Sequence, residues 1–488
     1  MFLPPLIRML NDRLNAFLCY RCERPGAASG RRTGKIGAKD VRPGRGGASF
    51  QGPLGTAYRA CLWSRLANRI LLPLSRFPAE TPDALYQGIR EIDWSLHLAA
   101  EGSLAVDFVA QRSQITHSHF GALKVKDAIV DQFRDCGGQR PSVSLQEPDV
   151  RINVYLYRDE AQVSLDLSGE SLHRRGYREQ GAAAPLKETL AAALLLRAGW
   201  PAIAANGGAL IDPLCGSGTL PIEAALIAGD IAPGLNRTYY GFLRWRGHDE
   251  AAWKALIDEA IEREEQGLQR IPPIAGFDKD LHAVQAALGN VARAGLQGKV
   301  HIERRSLDEL RPIGKRAGLL VANPPYGERI GETSRLIPLY NQLGALAKRY
   351  LPGWRAAIFT GNRDLIHQIG LRAEKTYTLY NGPLECRLSL YPIAEREATR
   401  EQAGPDGATD FANRLRKTAN ASTVGDAKTG STAIVFTMPI CRNMRLPSMF
   451  IAAKTLGYMF RNTRHRKVLL RSAPPNGCEK PCGPCRKF

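Results

Sequence analysis

Five short apolar runs between residues 208 and 360 restrict the fold of this chain more than any other feature. They are GALID (208–212), IAGFD (274–278), VHIE (300–303), GLLVAN (318–323) and RAAIFT (355–360). Segments with helical spacing separate them, and strands that alternate with helices form parallel sheets covered on both faces. After the fifth run, KTYTLY and CRLSLYPI have the alternation of a closing antiparallel hairpin. The sequence therefore predicts an α/β, Rossmann-like doubly wound sheet over residues 183–395.

A second region with a regular pattern precedes this sheet. A strand is followed by residues 121–136, whose apolar side chains recur at helical spacing. Residues 151–169 alternate apolar and polar side chains on both sides of a polar turn, which predicts a β-hairpin. We therefore predict an α+β domain over residues 39–168, joined to the sheet by a basic connector over residues 169–182.

The two ends of the chain differ from its middle. Residues 1–38 and 396–488 lack apolar periodicity, and we predict that they are atypical segments without a fixed structure. The net charge of +20 suggests a polyanionic partner. However, residues 1–50 contain ten basic against three acidic residues, and residues 401–488 contain fifteen against five. The middle carries only about +3, so the total charge alone does not establish a nucleic-acid surface.

Cysteine usage and hydropathy bear on where the chain works. No apolar run reaches the roughly 18 residues that a membrane span requires. Of the ten cysteines, Cys61, Cys136, Cys215 and Cys386 look isolated, which is typical of a reduced chain, so we expect a cytoplasmic location and no membrane partner. Cys19 and Cys22, with Cys478, Cys482 and Cys485, are enough thiolates for a zinc ion, but their spacing matches no known finger, and we expect no metal.

A glycine-containing loop follows the first strand of the predicted sheet. The strand leads into DPLCGSGT, and a helix opens near Leu220. Glycines let the backbone approach a ligand, and the helix N-terminus presents unpaired N–H groups to an anionic group such as a carboxylate. Asp212 is placed to hold a cationic amino group, and Asp278, at the end of the second strand, to accept hydrogen bonds from ribose hydroxyls. The candidate cofactor-binding residues are Asp212, Pro213, Cys215, Gly216, Ser217, Gly218, Thr219 and Asp278.

The loop pattern excludes two common nucleotide sites. A Gly-x-Gly by itself is also typical of an ordinary tight turn. Here no third glycine follows at the dinucleotide spacing, and no Gly-Lys-Ser/Thr follows as in a P-loop. A nucleoside ligand without a pyrophosphate fits better. We expect Cys215 to be a small packing residue rather than a nucleophile, because no basic residue adjoins it.

Asn323-Pro324-Pro325-Tyr326 follows the fourth strand. The prolines restrict the backbone and bar Asn323 from helical geometry, so its amide oxygen and the Pro324 carbonyl become two fixed acceptors. Two acceptors suit an exocyclic NH2 group, and Tyr326 offers a flat face for a base turned out of its helix. Fixed acceptors favour the pyramidal, nucleophilic amine as positive charge develops during direct displacement on a methyl sulfonium. The alternative is a strand that ends in a rigid turn, with Tyr326 in the core.

Five blocks in order resemble one family. They are ITHSHFGALKVKDAIVDQF, LDLSGESLHRRGYR, APLKETLAAA, DPLCGSGTLPIEAA and NPPYGER, and the resemblance to the THUMP-containing bacterial 23S rRNA guanine-N2 methyltransferases covers residues 39–417. It implies a class I methyltransferase fold behind an α+β THUMP-containing domain that binds structured RNA. It also implies S-adenosyl-L-methionine as cofactor, with N2-methylguanosine and S-adenosylhomocysteine as products. The implied partner is 23S rRNA or a large-subunit assembly intermediate, with no obligate protein partner.

The resemblance also implies roles for individual residues. Asp212, Gly216 and Gly218 would lie at the cofactor, Asp278 at its ribose, and Asn323, Pro324 and Tyr326 match the catalytic motif. The sequence departs from the family after the third strand, where Ser306 replaces an acid expected near the adenine, so Asp308 becomes the candidate there. Residues 410–417, DFANRLRK, resemble the join to a second methyltransferase module that some members carry, and we expect that this module is absent.

Five basic residues are candidates for contacts with RNA phosphates. Arg174, Arg175 and Arg178 lie in the HRRGYR connector, and Lys124 and Lys126 lie on the predicted helix of the first domain. The alternative for the arginines is a solvated linker, and for the lysines a solvated helix face.

Three functions remain open. The first is methylation of guanine N2 in RNA, and the second is methylation of adenine N6 in RNA or DNA, because Asn-Pro-Pro-Tyr suits both amines. The third is a non-catalytic RNA-binding assembly factor. Cofactor binding separates the enzymes from the third class.

Overall fold

The computed structural model describes residues 15–19, 37–44, 46–178, 186–327 and 332–395, all of which belong to one unit, Met1–Gln402. The first sheet has eight strands in the order β2-β3-β1-β4-β8-β7-β5-β6. Its strands are β1 Asn15–Cys19, β2 Lys39–Gly44, β3 Gly47–Gln51, β4 Arg69–Pro78, β5 Ser103–Gln111, β6 Ser142–Val143, β7 Val150–Tyr157 and β8 Glu160–Asp166. Strand β5 runs parallel to β6 and β7, and the other pairs are antiparallel.

The helices of this region are α1 Leu54–Trp63, α2 Pro82–Arg90 and α3 Ser118–Gly137, with a short 3-10 helix at Trp94–Leu96. The predicted hairpin is confirmed, because β7 and β8 pair across a turn in which Arg158 and Asp159 both have positive φ. The predicted helix over residues 121–136 is confirmed with longer ends. The His117 side chain accepts a hydrogen bond from Phe120 N at its start, and Gly138 ends it at φ 73°.

The prediction that residues 1–38 lack fixed structure is wrong for Asn15–Cys19. These residues form β1, which pairs with β3 on one side and with β4 on the other. The run is too short to show a period, and its strand partners come from later in the chain. The other cysteines of the considered zinc set, Cys22, Cys478, Cys482 and Cys485, lie outside the described residues.

The second sheet confirms the predicted α/β fold. Its strands are β9 Leu210–Asp212, β10 Ile274–Asp278, β11 His301–Arg304, β12 Leu319–Ala322, β13 Arg355–Thr360, β14 Lys375–Asn381 and β15 Leu384–Pro392. The order is β11-β10-β9-β12-β13-β15-β14, in which the first five are parallel and β15 is antiparallel to both neighbours. The helices are α4 Glu188–Arg197, α5 Trp200–Ala205, α6 Thr219–Ala228, α7 Glu250–Leu268, α8 Leu281–Arg293, α9 Glu332–Tyr350 and α10 Arg363–Gln368.

This topology positions the candidate site. The strand order reverses between β9 and β12, and ligands of open α/β sheets bind at the carboxyl ends of strands beside such a reversal. Consecutive residues of β9 belong to different apolar clusters, Leu210 to one and Ile211 to the other, so both faces of the sheet are covered. Asp212 and Asp278 end β9 and β10, and Asn323 follows β12 directly.

The two regions share a core that the sequence patterns did not predict. Tyr240, Phe242, Trp245 and Trp253 lie between α6 and β10 in the sequence, yet they pack into the apolar core of the first region. The rings of Tyr58 on α1 and Phe242 have their centroids 4.3 Å apart. Burying large aromatic side chains contributes strongly to stability, so the segment between α6 and β10 holds the two regions together firmly. Within the described residues, no helix is long and apolar enough to cross a membrane.

Candidate active site at the strand ends

Asp212 is a buried carboxyl at the end of β9. It is 1% exposed, and its Oδ1 accepts a hydrogen bond of 3.2 Å from Leu214 N. Burial raises the pKa of Asp212 to about 8, and the nearby charge of Asp278 acts in the same direction. A cation bound beside this carboxyl would favour its ionised form. The position therefore suits the cationic amino group that the sequence predicted for it.

The loop after β9 depends on two glycines. Gly216 has φ 51° and Gly218 has φ 80°, a region that other residues rarely adopt. No atom would lie within 4 Å of a Cβ added at Gly216, so the space beside the loop there is open. A Cβ added at Gly218 would lie 3.1 Å from Ala287 Cβ on α8. Helix α6 begins immediately afterwards at Thr219, which directs its first N–H groups toward the loop.

Asp278 is bound to the glycine loop. Its Oδ2 accepts a hydrogen bond of 2.9 Å from Gly216 N, and its Oδ1 accepts one of 3.0 Å from Asp280 N. Each carboxylate oxygen can accept a second hydrogen bond, so a ribose contact remains compatible with both. The position of Asp278 at a strand end predicted a ribose contact but not this bond to the loop. Strand ends alone do not show which backbone N–H a carboxylate will meet.

The remaining loop residues have packing and backbone contacts. Cys215 is buried, and burial raises the pKa of its thiol, which supports its interpretation as a packing residue. Its N–H donates to Phe277 O at 2.9 Å. Ser217 O accepts a hydrogen bond of 2.8 Å from Asn290 Nδ2 on α8. Pro213 is buried directly after β9.

Asp308 lies in a short 3-10 helix, Leu307–Glu309, after β11. Ser306 Oγ donates a hydrogen bond of 2.5 Å to Asp308 Oδ1, and this bond holds the pKa of that carboxyl below its usual value. Ser306 and Glu309 also form a reciprocal capping box. The adenine contact of Asp308 stays a prediction, because its one described side-chain partner is local.

The backbone of the Asn-Pro-Pro-Tyr motif is held from two neighbouring elements. Pro324 is buried and Pro325 is exposed. The Tyr340 hydroxyl on α9 donates to Pro325 O at 3.1 Å. Asn362 Nδ2, which precedes α10, donates to Tyr326 O at 3.2 Å. These bonds fix the turn that the two prolines begin.

The Tyr326 side chain is not the fully exposed stacking face that the sequence predicted. Its ring is half-buried and meets Phe359 edge-on, with centroids 6.3 Å apart and an interplanar angle of 82°. Burial raises the pKa of Tyr326, so its hydroxyl is protonated, and it donates to Asn323 Oδ1. The oxygen expected to accept from a substrate amine is therefore engaged. An amide oxygen has two lone pairs, so a substrate N–H can bind there beside the Tyr326 hydroxyl, and this sharing of the acceptor was not predicted from the sequence.

The connector arginines have different environments. Arg174 is exposed and pairs with Glu170 Oε1 at 3.0 Å, so it remains a candidate phosphate contact. Arg175 is not available to a phosphate, because its side chain is 2% exposed and its guanidinium donates to Leu172 O at 2.8 Å. Arg178 is 14% exposed and donates to Thr219 Oγ1. The phosphate-contact prediction is therefore wrong for Arg175 and unsupported for Arg178, since basic composition does not reveal burial.

The two helix lysines are partly exposed. Lys124 Nζ lies 3.8 Å from Asp83 Oδ1, and Lys126 pairs with its neighbour Asp127. Both pairs are at the surface, where such ion pairs contribute little to stability. The lysines can therefore exchange these partners for phosphates, and both stay candidates.

The reversed strand order defines a class I methyltransferase fold. The glycine loop, the acids Asp212 and Asp278 at the ends of β9 and β10, and Asn323 after β12 are the site residues of that class. Residues 175–389 match the RMKL-like methyltransferase domain, residues 79–166 match the THUMP domain, and residues 33–71 match the RlmL ferredoxin-like domain. The chain belongs to this family of THUMP-containing, RMKL-like methyltransferases.

Curated relatives are similar over most of this chain. A ribosomal RNA large subunit methyltransferase K/L from Methylococcus capsulatus is 56% identical over 383 residues, which are 78% of this chain and 52% of the relative. The protein of the same name from Syntrophotalea carbinolica is 54% identical over 389 residues, which are 78% of this chain and 55% of the relative. The chain thus spans about half the length of these relatives.

Several solved structures share the fold. SMU.472, solved in complex with SAH, is 31% identical with a TM-score of 0.70, over 79% of this chain and 99% of that one. A protein from Listeria monocytogenes described as a predicted N6-adenine-specific DNA methylase is 29% identical with a TM-score of 0.69, over 79% of this chain and 97% of that one.

Proposed function

We propose that this protein transfers a methyl group from S-adenosyl-L-methionine to the exocyclic N2 amine of a guanine in 23S rRNA. The observation that carries the proposal is the position of Asn323. It follows β12, and β12 pairs with β9, which ends in Asp212 and the glycine loop. The candidate amine acceptor and the candidate cofactor site therefore lie at the ends of adjacent strands.

The site residues fit the cofactor chemically. Asp212 suits its cationic amino group, the N-terminus of α6 suits its carboxylate, and Asp278 suits its ribose hydroxyls. When bound, S-adenosyl-L-methionine supplies the electrophilic methyl group. SMU.472, which shares the fold over nearly its whole length, was solved with SAH.

The catalytic work of the protein is to orient the amine and stabilise developing charge. Asn323 Oδ1 and Pro324 O accept the two N–H groups, and Asn323 Oδ1 can keep its hydrogen bond from the Tyr326 hydroxyl at the same time. Positive charge that develops on the amine nitrogen is stabilised by both acceptors until one proton leaves to water. The Tyr326 ring then packs against the base. This mechanism requires neither a metal nor a covalent enzyme intermediate.

The RNA substrate is supported by the N-terminal region. Residues 79–166 match a THUMP domain, and the curated relatives are named for the large ribosomal subunit RNA. Arg174, Lys124 and Lys126, whose side chains are partly exposed, are the basic residues that we propose to contact phosphates. We place the reaction in the cytoplasm, on 23S rRNA or on an assembling large subunit.

The second candidate is methylation of adenine N6. The Asn-Pro-Pro-Tyr geometry suits any exocyclic aromatic amine, and the similar Listeria protein is described as a predicted N6-adenine-specific DNA methylase. The THUMP match favours RNA over DNA as substrate.

The test is to incubate the protein with methyl-labelled S-adenosyl-L-methionine and unmodified 23S rRNA, and then to digest the RNA to nucleosides. We expect label in N2-methylguanosine, its loss in Asn323→Ala, and its retention in Asn206→Ala, a matched change at an exposed asparagine. Label in N6-methyladenosine would establish the second candidate instead. Failure of the wild type to bind S-adenosylhomocysteine would leave only a non-catalytic, RNA-binding role.

A further inference from the structure

The connector reaches the first residue of α6 through Arg178. Its Nη2 donates hydrogen bonds to Thr219 Oγ1 at 2.5 Å and to Leu186 O at 3.1 Å. Its Nη1 lies 3.5 Å from Glu188 Oε1 on α4, and the Glu188 side chain is 3% exposed. Arg178 is therefore held within the protein, at the point where the glycine loop becomes a helix.

A second route joins the connector to the other side of Gly218. Arg293 Nε donates to Tyr177 O at 2.8 Å, and Arg293 Nη2 donates to Asn290 Oδ1 at 2.7 Å. Asn290 Nδ2 in turn donates to Ser217 O at 2.8 Å. Ser217 and Thr219 flank Gly218, so the connector holds the loop on both sides of its second glycine.

A third contact secures the helix that follows the loop. Glu223 lies four residues after Thr219, on the same side of α6. Its side chain is fully buried, its Oε1 accepts from the Tyr177 hydroxyl at 3.2 Å, and Arg175 Nε lies 3.5 Å away. Breaking a buried ion pair leaves an uncompensated charge, so this contact resists displacement of α6.

We propose that Arg178 is a positioning residue for cofactor binding, which holds the Gly216–Thr219 loop in its ligand-binding conformation through Thr219. A loop with two glycines has many accessible conformations, and fixing it in advance removes an ordering cost from binding. The inference rests on the proposed function for the identity of the cofactor. It replaces the RNA-phosphate role that composition suggested for this arginine.

The test measures the dissociation constant of S-adenosylhomocysteine by calorimetry in the full chain. Arg178→Met and Thr219→Val should each raise it about tenfold, the effect of losing one hydrogen bond to a charged group. The double variant should have no higher a dissociation constant than the more impaired single variant, because both substitutions remove the same contact. Thr219→Ser, which keeps the hydroxyl, should bind S-adenosylhomocysteine as tightly as the wild type. The affinity of Arg178→Met for RNA should also match that of the wild type.

Arg174→Met is the matched control, because it removes an exposed arginine of the same connector and should leave the cofactor affinity unchanged. The thermal midpoint of each variant checks folding, and Thr219→Val tests the contact without removing a buried charge. Unchanged cofactor affinity in Arg178→Met, additive effects in the double variant, or a loss of RNA affinity alone would overturn the inference. A wild type that does not bind S-adenosylhomocysteine would instead overturn the proposed function.

Discussion

At the scale of single residues, the site depends on side chains whose protonation and partners differ from those of free amino acids. Asp212 is protonated near neutral pH because burial raises its pKa to about 8. Asn323 is engaged by the Tyr326 hydroxyl. Asp212 must therefore change its protonation state when a cationic ligand binds, and Asn323 must share its oxygen between Tyr326 and a substrate amine. Both effects can be measured.

Binding of S-adenosylhomocysteine should release close to one proton at pH 7. With a pKa of about 8, Asp212 holds its proton at pH 7, and a cationic amino group favours the ionised carboxylate, so the proton leaves. Affinity should therefore rise from pH 6 to pH 8, by up to about tenfold per pH unit. Calorimetry in two buffers of different ionisation enthalpy measures the release. Asp212→Asn should bind more weakly and release none, and equal release by this variant would contradict the assignment.

Changes at Tyr326 should separate its hydroxyl from its ring. Tyr326→Phe frees Asn323 and keeps the ring, so kcat/KM for RNA methylation should stay within about threefold of the wild type. Tyr326→Ala removes the stacking surface and should lower kcat/KM roughly 10- to 100-fold, which corresponds to the loss of one base–aromatic contact. If Tyr326→Phe is as impaired as Tyr326→Ala, the hydroxyl itself is required for the reaction.

At the scale of elements, periodic runs were predicted well and their ends were not. The apolar runs at 274–278 and 355–360 coincide with β10 and β13. Helix α3 extends beyond its predicted range because the His117 side chain caps its start and the left-handed backbone of Gly138 ends it. Periodicity reports which face of an element is buried, whereas its ends depend on individual caps.

Two adjacent glycines test the end of α3. Gly138 has φ 73°, whereas Gly137 is the last helical residue, and a Cβ at either would meet no atom within 4 Å. Gly138→Ala should lower the free energy of unfolding by about 1 kcal/mol, because an L-residue is strained at positive φ. Gly137→Ala should raise it by about 0.5–1 kcal/mol, because alanine is favoured in a helix. Urea denaturation measures both, and changes of the same sign would contradict the assigned helix end.

At the scale of the whole molecule, a buried histidine links the two regions. His97 follows the 3-10 helix of the first region, and its Nδ1 accepts a hydrogen bond of 3.0 Å from Trp245 Nε1, which lies between α6 and α7 in sequence. Burial lowers the pKa of His97 to about 4. Between about pH 4 and pH 6.5, His97 is therefore neutral in the folded protein, whereas the same side chain is protonated in the unfolded chain.

Stability should consequently fall as the pH decreases from about 6.5 to about 4. In this window the unfolded state binds a proton at His97 and the folded state does not, so the slope contribution approaches about 1.4 kcal/mol per pH unit. His97→Gln keeps an acceptor for Trp245 and removes the titration, so its unfolding free energy should depend less steeply on pH. An unchanged slope in His97→Gln would assign the pH dependence to other groups.

The sequence by itself determined the α/β class, the β7–β8 hairpin and the placement of an acid, a glycine loop and Asn-Pro-Pro-Tyr at strand ends. These features follow from alternation and from the restricted backbone of glycine and proline, which act over a few residues. Only the tertiary structure decided that Asp278 binds Gly216 and that Tyr326 engages Asn323. It also decided that Arg175 and Arg178 face inward and that β1 lies inside the first sheet. Such contacts join residues far apart in sequence or set side-chain burial, and neither leaves a local pattern.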